Sequence, residues 1–295
     1  MTITERPAHI TAGRHTADDG LFGPASVTWK VHSDPAMMLV GILAATTQML
    51  HPRVMRMIDQ ASAFRTNPES RARQTGLYMQ TITFADAESA RNAGATLRRI
   101  HQAVKAVDPE TGSTYNAEVP ELLLWVQNSL TWAGLRAFKQ YGAGKLTDAE
   151  RDTYVAEQKI AGELLSLDPA VLPSTVGELD AYMAAMLPTL HAIPESVWFR
   201  DMMTSRTSVT PKDGKKPRRI DLFIGRMMND AALERMLPEH RELFGIDIPR
   251  RRFWIGKVGA RLLLALVRSQ VPTGKTIAQM REQVDLQVFG GRRST

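Results

Sequence analysis

Four polar side chains in the segment 69–84 have a spacing that could serve chemistry: Arg71, Gln74, Thr75 and Tyr78. Residues three, four and seven positions apart share one face of an α-helix. A guanidinium, an amide and hydroxyls on one face can together bind an anion or an oxygen-containing ligand. A solvated helix face explains the same row, so the spacing alone leaves both interpretations open.

One of the seven histidines lies within an apolar helical pattern. In the segment 86–106, His101 shares its stripe with Leu97, Ile100 and Val104, while the basic residues occupy other positions. The pattern therefore predicts that His101 points from the apolar face into the interior. A neutral imidazole held inward on a helix is what a proximal haem ligand requires. A hydrogen-bonded core histidine is the alternative that the pattern leaves open.

The sequence excludes several other kinds of site. Its 295 residues include no cysteine, so a thiolate nucleophile, a cysteine-ligated zinc, an iron–sulfur cluster and a covalently attached haem are impossible. No histidine in a predicted helix follows a glutamate by three residues, which removes the Glu-x-x-His pattern of di-iron bundles. The H-E-x-x-H, G-x-G-x-x-G, Walker and G-x-S-x-G motifs are also absent. Conventional hydrolase, dehydrogenase and phosphate-binding functions therefore have no support.

The elements that must position these residues are predicted to be helices. Segments with apolar residues spaced by three and four positions are 36–50, 52–64, 69–84, 86–106, 119–141, 147–165, 175–190, 193–205, 220–236 and 250–270. Thr147 followed by Glu150, and Thr175 followed by Glu178, predict capping boxes at two helix starts. Only residues 113–118 are predicted to form a short extended piece. The sequence therefore predicts an all-α fold.

The chain is predicted to form one domain. Residues 1–20 are polar and are predicted to be a flexible lead, and residues 21–205 contain most of the predicted helices. The polar, Lys/Gly/Pro-rich stretch Ser205–Pro217 is predicted to be a linker. Residues 206–295 are thus predicted to supply this linker and C-terminal helices that cover the same core.

The net charge of +6 raises the question of nucleic-acid binding. The basic clusters are Lys212–Arg219, Arg250–Arg252 and Arg292–Arg293, and no recognition-helix or zinc-finger pattern accompanies them. We therefore expect a solvated or anion-facing surface and no nucleic-acid partner. Residues 1–20 lack the apolar centre of a secretory signal, and the run Ala36–Leu50 is too short and too polar to span a bilayer. We expect a cytoplasmic protein without a transmembrane segment.

Several short motifs occur in an order that resembles one family. They are Leu21-Phe22-Gly23-Pro24, Trp29-x-Val31-His32-x-Asp34-Pro35-Ala36, Gln48-Met49-Leu50-His51-Pro52, Arg71-x-Arg73-x-Thr75, Ile100-His101, Gly112-x-x-Tyr115-x-Ala117 and Leu123-Leu124-Trp125-Val126. Over residues 21–205 this order resembles the rubber oxygenase (latex clearing protein) and ER-bound oxygenase catalytic-domain superfamily, in particular its bacterial members. The resemblance implies an all-helical, globin-like body with additional C-terminal helices, which holds a non-covalent b-type haem.

The resemblance also implies roles for particular residues. His101 matches the histidine that ligates the haem iron on the proximal side. Arg71 and Thr75 match the Arg-x-x-x-Thr helix on the distal side, where they are expected to orient or stabilise dioxygen during catalysis. His51, just before Pro52 at a predicted helix boundary, is the alternative iron ligand.

Two departures from the family pattern bear on activity. Gln74 stands where the family has a lysine that can occupy the distal position on iron, and we expect it to contact the cofactor there. The family's distal glutamate has no clear counterpart, and Asp59 is the nearest acidic candidate. Cleavage of rubber is therefore not expected. Arg65, Arg71 and Arg73 are the candidates for contacts to haem propionates, because guanidinium–carboxylate pairs are strong.

The implied function is that of a haem-dependent oxygenase or oxidase. It would use dioxygen on a lipophilic small molecule, with an alkene as one candidate substrate. Met55 and Met79 are predicted to be among the residues that line its pocket. Two other functions stay open. One is a haem-binding sensor or carrier without turnover, and the other is a haem-free helical interaction protein with a basic C-terminal surface.

Overall fold

The computed structural model describes residues 19–62, 64–204 and 218–270. Its α-helices are α1 Val27–His32, α2 Met37–Gln48, α3 Pro52–Ala61, α4 Pro68–Phe84, α5 Ala87–Ala103, α6 Pro120–Tyr141, α7 Asp148–Glu157, α8 Lys159–Leu164, α9 Val176–Met186, α10 Pro194–Thr204, α11 Arg219–Leu233, α12 Pro238–Leu243 and α13 Arg250–Gln270. Strands β1 Lys105–Val107 and β2 Thr114–Asn116 pair antiparallel, and short 3-10 helices span Pro169–Val171 and Leu187–Thr189. The predicted all-α fold is thus confirmed. Most of the predicted lead and the predicted linker, residues 1–18 and 205–217, lie outside the described residues.

Local side chains determine where the helices begin. The Thr147 hydroxyl accepts a hydrogen bond from the Glu150 N–H at 3.1 Å, and the Glu150 carboxylate accepts one from the Thr147 N–H at 2.7 Å. The predicted capping box of α7 is therefore confirmed. At α9 the Thr175 hydroxyl accepts from the Glu178 N–H, but the Glu178 carboxylate accepts from the N–H of the preceding Ser174. The second predicted box is therefore only half formed.

Helix α5 is shorter than its sequence pattern predicts. The apolar spacing predicts a helix over residues 86–106, but α5 ends at Ala103. The residues that follow form β1, in which Ala106 lies opposite Tyr115 of β2, and both side chains are buried. The predicted extended piece at 113–118 is thus confirmed at Thr114–Asn116. Its partner strand β1 was not predicted, because the apolar spacing in that segment is also that of a helix.

The predicted helix 147–165 is divided in two at Gln158. The Gln158 side-chain amide donates to the Thr28 hydroxyl at 2.8 Å, and the Gln158 backbone carbonyl accepts from the side-chain amide of Gln127 at 3.1 Å. Both partners are distant in the sequence. The interruption therefore coincides with tertiary hydrogen bonds that a local pattern cannot report.

The core is built around α2, which packs against both α6 and α11. Trp125 and Trp132 of α6 are buried in it, together with Leu43 of α2. Helix α11 also packs against α13, which brings the C-terminal helices onto the α2–α6 pair. None of the described helices is long and apolar enough to cross a membrane.

Helices α4 and α5 form a helical hairpin. The last turn of α4 is buried, and the Thr83 hydroxyl lies 2.9 Å from Nδ1 of His32 in α1. Residues 71–75, in the first half of α4, are exposed at every position. Five successive residues sample every face of a helix, so neighbouring protein covers no face of this half completely. The hairpin therefore carries the polar row of α4 beside the end of α5.

Candidate functional site

His101 lies in the last turn of α5 with 21% of its side-chain surface exposed. Its Nδ1 atom is 3.5 Å from Oε1 of Glu118, in the loop between β2 and α6. Both atoms are sealed from solvent, and neither has a hydrogen-bond partner among the described residues. A small shortening of this contact would make it a hydrogen bond. Nε2 is then the ring nitrogen left for a ligand.

The environment of His101 favours the neutral imidazole. Burial lowers the pKa of His101 below its usual value and outweighs Glu118, which raises it. The positive charge of Arg71 lowers the pKa further, so the two side chains lie within electrostatic range of each other. Only a neutral imidazole has a lone pair to offer to a metal.

Arg71 carries a cation without a fixed partner. No described side chain forms a hydrogen bond or an ion pair with its guanidinium. The side chain is exposed, yet partial desolvation by the surrounding protein lowers its pKa. Solvent therefore reaches the guanidinium, although enough protein lies nearby to disfavour its charged form. An unpaired guanidinium is available to an anionic or oxygen-containing ligand.

The rest of the α4 row follows Arg71 toward the core. Gln74 and Thr75 are exposed, whereas Tyr78 is half-buried. The Tyr78 hydroxyl is sealed from solvent without a described hydrogen-bond partner, and burial raises its pKa. The Tyr78 hydroxyl is therefore neutral at physiological pH and can still donate a hydrogen bond. The structure thus brings the predicted row of α4 and the predicted His101 onto one hairpin.

The predicted arginines differ in what already binds them. Arg65 Nε lies 2.5 Å from Asp59 Oδ1, and the guanidinium also stacks over the Trp198 ring at 5.2 Å from its centroid. Arg65 and Asp59 thus satisfy each other. Arg73 is exposed, and no ion pair with a described residue holds it. Arg71 and Arg73 are the predicted arginines that remain free for an acidic group.

His51, the alternative ligand, has a different set of neighbours. It is the residue before α3, and its side chain makes no capping hydrogen bond. Its ring is buried, 6.4 Å from the Trp125 ring, and its Nδ1 has no described partner. Desolvation lowers the pKa of His51, while Glu121 raises it. His51 therefore lies within the packing of α6, whereas His101 lies beside Arg71.

Two details of the predicted site are wrong. Ile100 was expected to face the interior with His101, but it is 48% exposed, because α5 buries only its Ser89–Ala90–Gly94 side. Met55 was expected to line a pocket, but it is completely buried in the main core. Met79 packs against the smaller cluster that contains Ile82.

Glu118 is the residue that the sequence reasoning missed. It follows Tyr115-x-Ala117 directly and precedes Pro120 of α6, so its position beside a motif was the available signal. Its contact with His101 depends on the β1–β2 pairing, which returns the chain to the end of α5; the N–H of Ala117 donates to the carbonyl of His101 itself. The missed strand β1 thus explains the missed residue.

A comparison with protein families finds one match. The family model described as "ER-bound oxygenase mpaB/B'/Rubber oxygenase, catalytic domain" matches residues 29–269, which is more than half of the chain. The matched range includes His101, Glu118 and the whole polar row of α4. No curated protein and no solved structure matches the chain.

Proposed function

The chain belongs to the family of ER-bound oxygenase mpaB/B' and rubber oxygenase catalytic domains, and we propose that it is a b-type-haem-dependent oxygenase or oxidase. Its proposed substrates are dioxygen and a lipophilic small molecule, for which an alkene is one candidate. Family membership supports an oxygenase, whereas the cofactor and the substrates are our proposal. The observation that carries it is the contact between His101 and Glu118.

This contact can prepare His101 to act as a ligand. A proton on Nδ1, directed at the Glu118 carboxylate 3.5 Å away, leaves the lone pair on Nε2. Metal-ligating histidines commonly direct their second nitrogen at a carboxylate, which sets the tautomer and raises the basicity of the ligand. The two buried atoms of this pair, which have no other described partner, therefore fit a histidine that would hold haem iron.

A porphyrin explains why a single histidine would suffice. The described residues contain no group of three or more His, Asp or Glu side chains arranged to hold a metal ion. A bare iron ion needs several such side chains, whereas haem supplies most of the iron's ligands itself and would need only one histidine from this chain. When bound, haem b would supply the dioxygen chemistry, which no amino-acid side chain provides.

The side chains of α4 would bind and orient the reactants. The free guanidinium of Arg71 and the hydroxyl of Thr75 can donate hydrogen bonds to an oxygen atom of dioxygen or of the substrate. Gln74 adds a neutral amide, which binds iron more weakly than the lysine amine found at this position in the family. Arg73 is the proposed partner of acidic groups on the cofactor. Arg71 could serve the same purpose when it does not bind dioxygen or the substrate.

Absorption spectroscopy tests the cofactor and its ligand. Purified protein titrated with hemin should develop a Soret band, and His101→Ala should lose it or shift it strongly. His51→Ala is the matched control, because it makes the same change at a buried histidine in another part of the fold. Its Soret band should remain that of the wild type.

The possible outcomes separate the parts of the proposal. A wild-type chain without a Soret band after hemin is added would overturn haem dependence. Loss of the band in His51→Ala but not in His101→Ala would assign the iron to His51. Oxygenase turnover is measured separately, as oxygen consumption by the haem-loaded protein with a reductant and a long-chain alkene.

A haem-binding carrier or sensor is the second candidate. It is favoured by the ion pair of Asp59, the acidic residue closest to the family's catalytic glutamate, with Arg65 at 2.5 Å. An occupied carboxylate is less available as a proton acceptor. A stable Soret band together with no oxygen consumption above that of free hemin would support this alternative.

A further inference from the structure

An apolar stripe on α13 has no described partner. Trp254, Val258, Leu262 and Leu266 recur at every fourth position and therefore share one side of the helix. Trp254 is 64% exposed and Leu262 is 67% exposed, and Leu266 is similarly open. Large side chains this open usually occur singly on a soluble protein, and a continuous row of them marks a binding surface.

The opposite side of α13 is buried against the core. Gly256, Ala260 and Leu264 are buried against α11. A Cβ atom at Gly256 would lie 2.9 Å from the backbone nitrogen of Ala231, so the two helices approach too closely there for a larger side chain. The exposed stripe therefore cannot turn inward without loss of this packing.

Helix α11 extends the apolar surface. Gly256 lies against Ala231, and Gly259 lies against Met227, so α11 and α13 run antiparallel. This register places Phe223 and Ile220 beside the turns of α13 that carry Leu262 and Leu266. Both α11 side chains are more than half exposed. We call the stripe of α13 together with Phe223 and Ile220 the α11–α13 face.

Positive charge borders the α11–α13 face. Helix α13 contains six basic residues and no acidic one. Arg252 and Arg268 form ion pairs with Asp230 and Asp34 on the packed side of the helix. The other four form no ion pair with a described residue: Arg250, Arg251, Lys257 and Arg261. An apolar stripe with an unpaired cationic border is the pattern of helices that lie in the surface of an anionic membrane.

We propose that the α11–α13 face binds the surface of an anionic lipid bilayer. Trp254, Leu262 and Leu266 would enter the boundary between headgroups and acyl chains, while the four cations meet lipid phosphates. A symmetric dimer through the same face would instead bring the cations of both copies together. The 25 residues after Gln270 carry four basic and two acidic residues, so their net charge is positive and does not offset that of the face.

The inference concerns binding and does not rest on the proposed oxygenase function. If that function is also correct, the face would hold the protein where lipophilic molecules dissolve. The experiment below measures membrane binding alone, so failure of either proposal is distinguishable from failure of the other.

Vesicle co-sedimentation of the full chain tests the proposal. The probes are phosphatidylcholine vesicles with and without phosphatidylglycerol. We expect the wild-type chain to bind the anionic vesicles, with a blue shift of tryptophan emission and weaker binding at high salt. Leu262→Asp should weaken partitioning at least tenfold, and Arg251→Gln or Arg261→Gln about fivefold each on anionic vesicles.

A matched control uses an exposed apolar residue elsewhere. Val171 is 55% exposed on the 3-10 helix Pro169–Val171, so Val171→Asp makes the same kind of change away from the face. It should bind vesicles as the wild type does, and circular dichroism should show native helix content in every variant. Equal losses in Leu262→Asp and Val171→Asp would contradict the proposal. A wild-type chain that binds neither kind of vesicle would also contradict the proposal. If that chain were a dimer that Leu262→Asp dissociates, the face would be a protein interface and not a membrane-binding surface.

Discussion

At the scale of single residues, the partners of a side chain decide what it can do. His101 has a carboxylate at one ring nitrogen and a cation in electrostatic range, whereas His51 is packed beside an indole. The two side chains are chemically identical, but only His101 contacts a carboxylate of the kind that a metal-ligating imidazole typically uses. Glu118 is therefore the residue on which the proposed ligand role of His101 depends most directly.

Replacement of Glu118 tests this dependence. Glu118 raises the pKa of His101, so Glu118→Gln should lower that pKa in the cofactor-free protein, as followed by NMR titration of the ring. The weaker ligand should bind hemin roughly 10–100-fold less tightly.

Glu121→Gln is the matched control for this experiment, because Glu121 acts on His51 and not on His101. It should leave hemin affinity and the His101 titration unchanged. A Glu118→Gln variant with wild-type hemin affinity would show that the carboxylate does not support the ligand.

At the scale of helices, buried ion pairs connect elements that are distant in the sequence. Asp34 follows α1, and its carboxylate accepts hydrogen bonds from the N–H of Ala36 at 2.7 Å, the N–H of Ala143 at 2.8 Å and Arg268 of α13 at 2.6 Å. Arg268 also donates to the carbonyl of Tyr141. One side chain thus joins the N-terminal segment, the end of α6 and α13.

Loss of this carboxylate should destabilise the fold strongly. Asp34→Ala leaves a partly buried guanidinium and two N–H groups unsatisfied, so we expect the free energy of unfolding to fall by about 3–5 kcal/mol. Urea unfolding followed by circular dichroism measures this change.

Asp221→Ala supplies the comparison for Asp34→Ala. Asp221 pairs with Arg218 at 3.2 Å on an exposed surface, and its loss should cost less than about 1 kcal/mol. Equal losses in the two variants would show that the Asp34 pair contributes no more than a surface pair.

At the scale of the whole molecule, two neutral histidines inside the fold make its stability depend on pH. Burial lowers the pKa of His32 and of His240 to about 4. In the unfolded chain these histidines titrate near the ordinary histidine pKa of 6.5. The unfolded state therefore binds more protons between pH 6.5 and pH 4, and stability falls as the pH falls through that range.

His240 offers the clearer test of this dependence. Its ring is completely buried beside Trp132, and neither ring nitrogen has a described partner. Its protonation on unfolding should cost about 3 kcal/mol of stability by pH 4. His240→Phe, which keeps a ring beside Trp132, should abolish that share of the pH dependence in urea unfolding at pH 7, 5.5 and 4.

His32 provides the internal comparison for this variant. Its two nitrogens lie 2.9 Å from the Thr83 hydroxyl and 3.1 Å from the Tyr154 hydroxyl, so its contribution should persist in His240→Phe. A variant as sensitive to acid as the wild type would show that His240 does not titrate on unfolding.

The sequence by itself determined the helical class, most helix positions and the family. Apolar spacing and caps such as Thr147–Glu150 act between residues three or four positions apart, so they can be read without the fold. For the same reason, helical spacing alone could predict that the four polar residues of α4 share one face and that His101 lies on the apolar side of α5.

Only the tertiary structure decided which of these residues meet. The pairing of β1 with β2 brings Glu118 to His101. Asp59 forms an ion pair with Arg65, and the packing of α13 on α11 leaves Leu262 exposed to solvent. Each of these outcomes depends on contacts between segments far apart in the chain. Local periodicity reports which face of a helix is apolar, but it does not report whether another element covers that face.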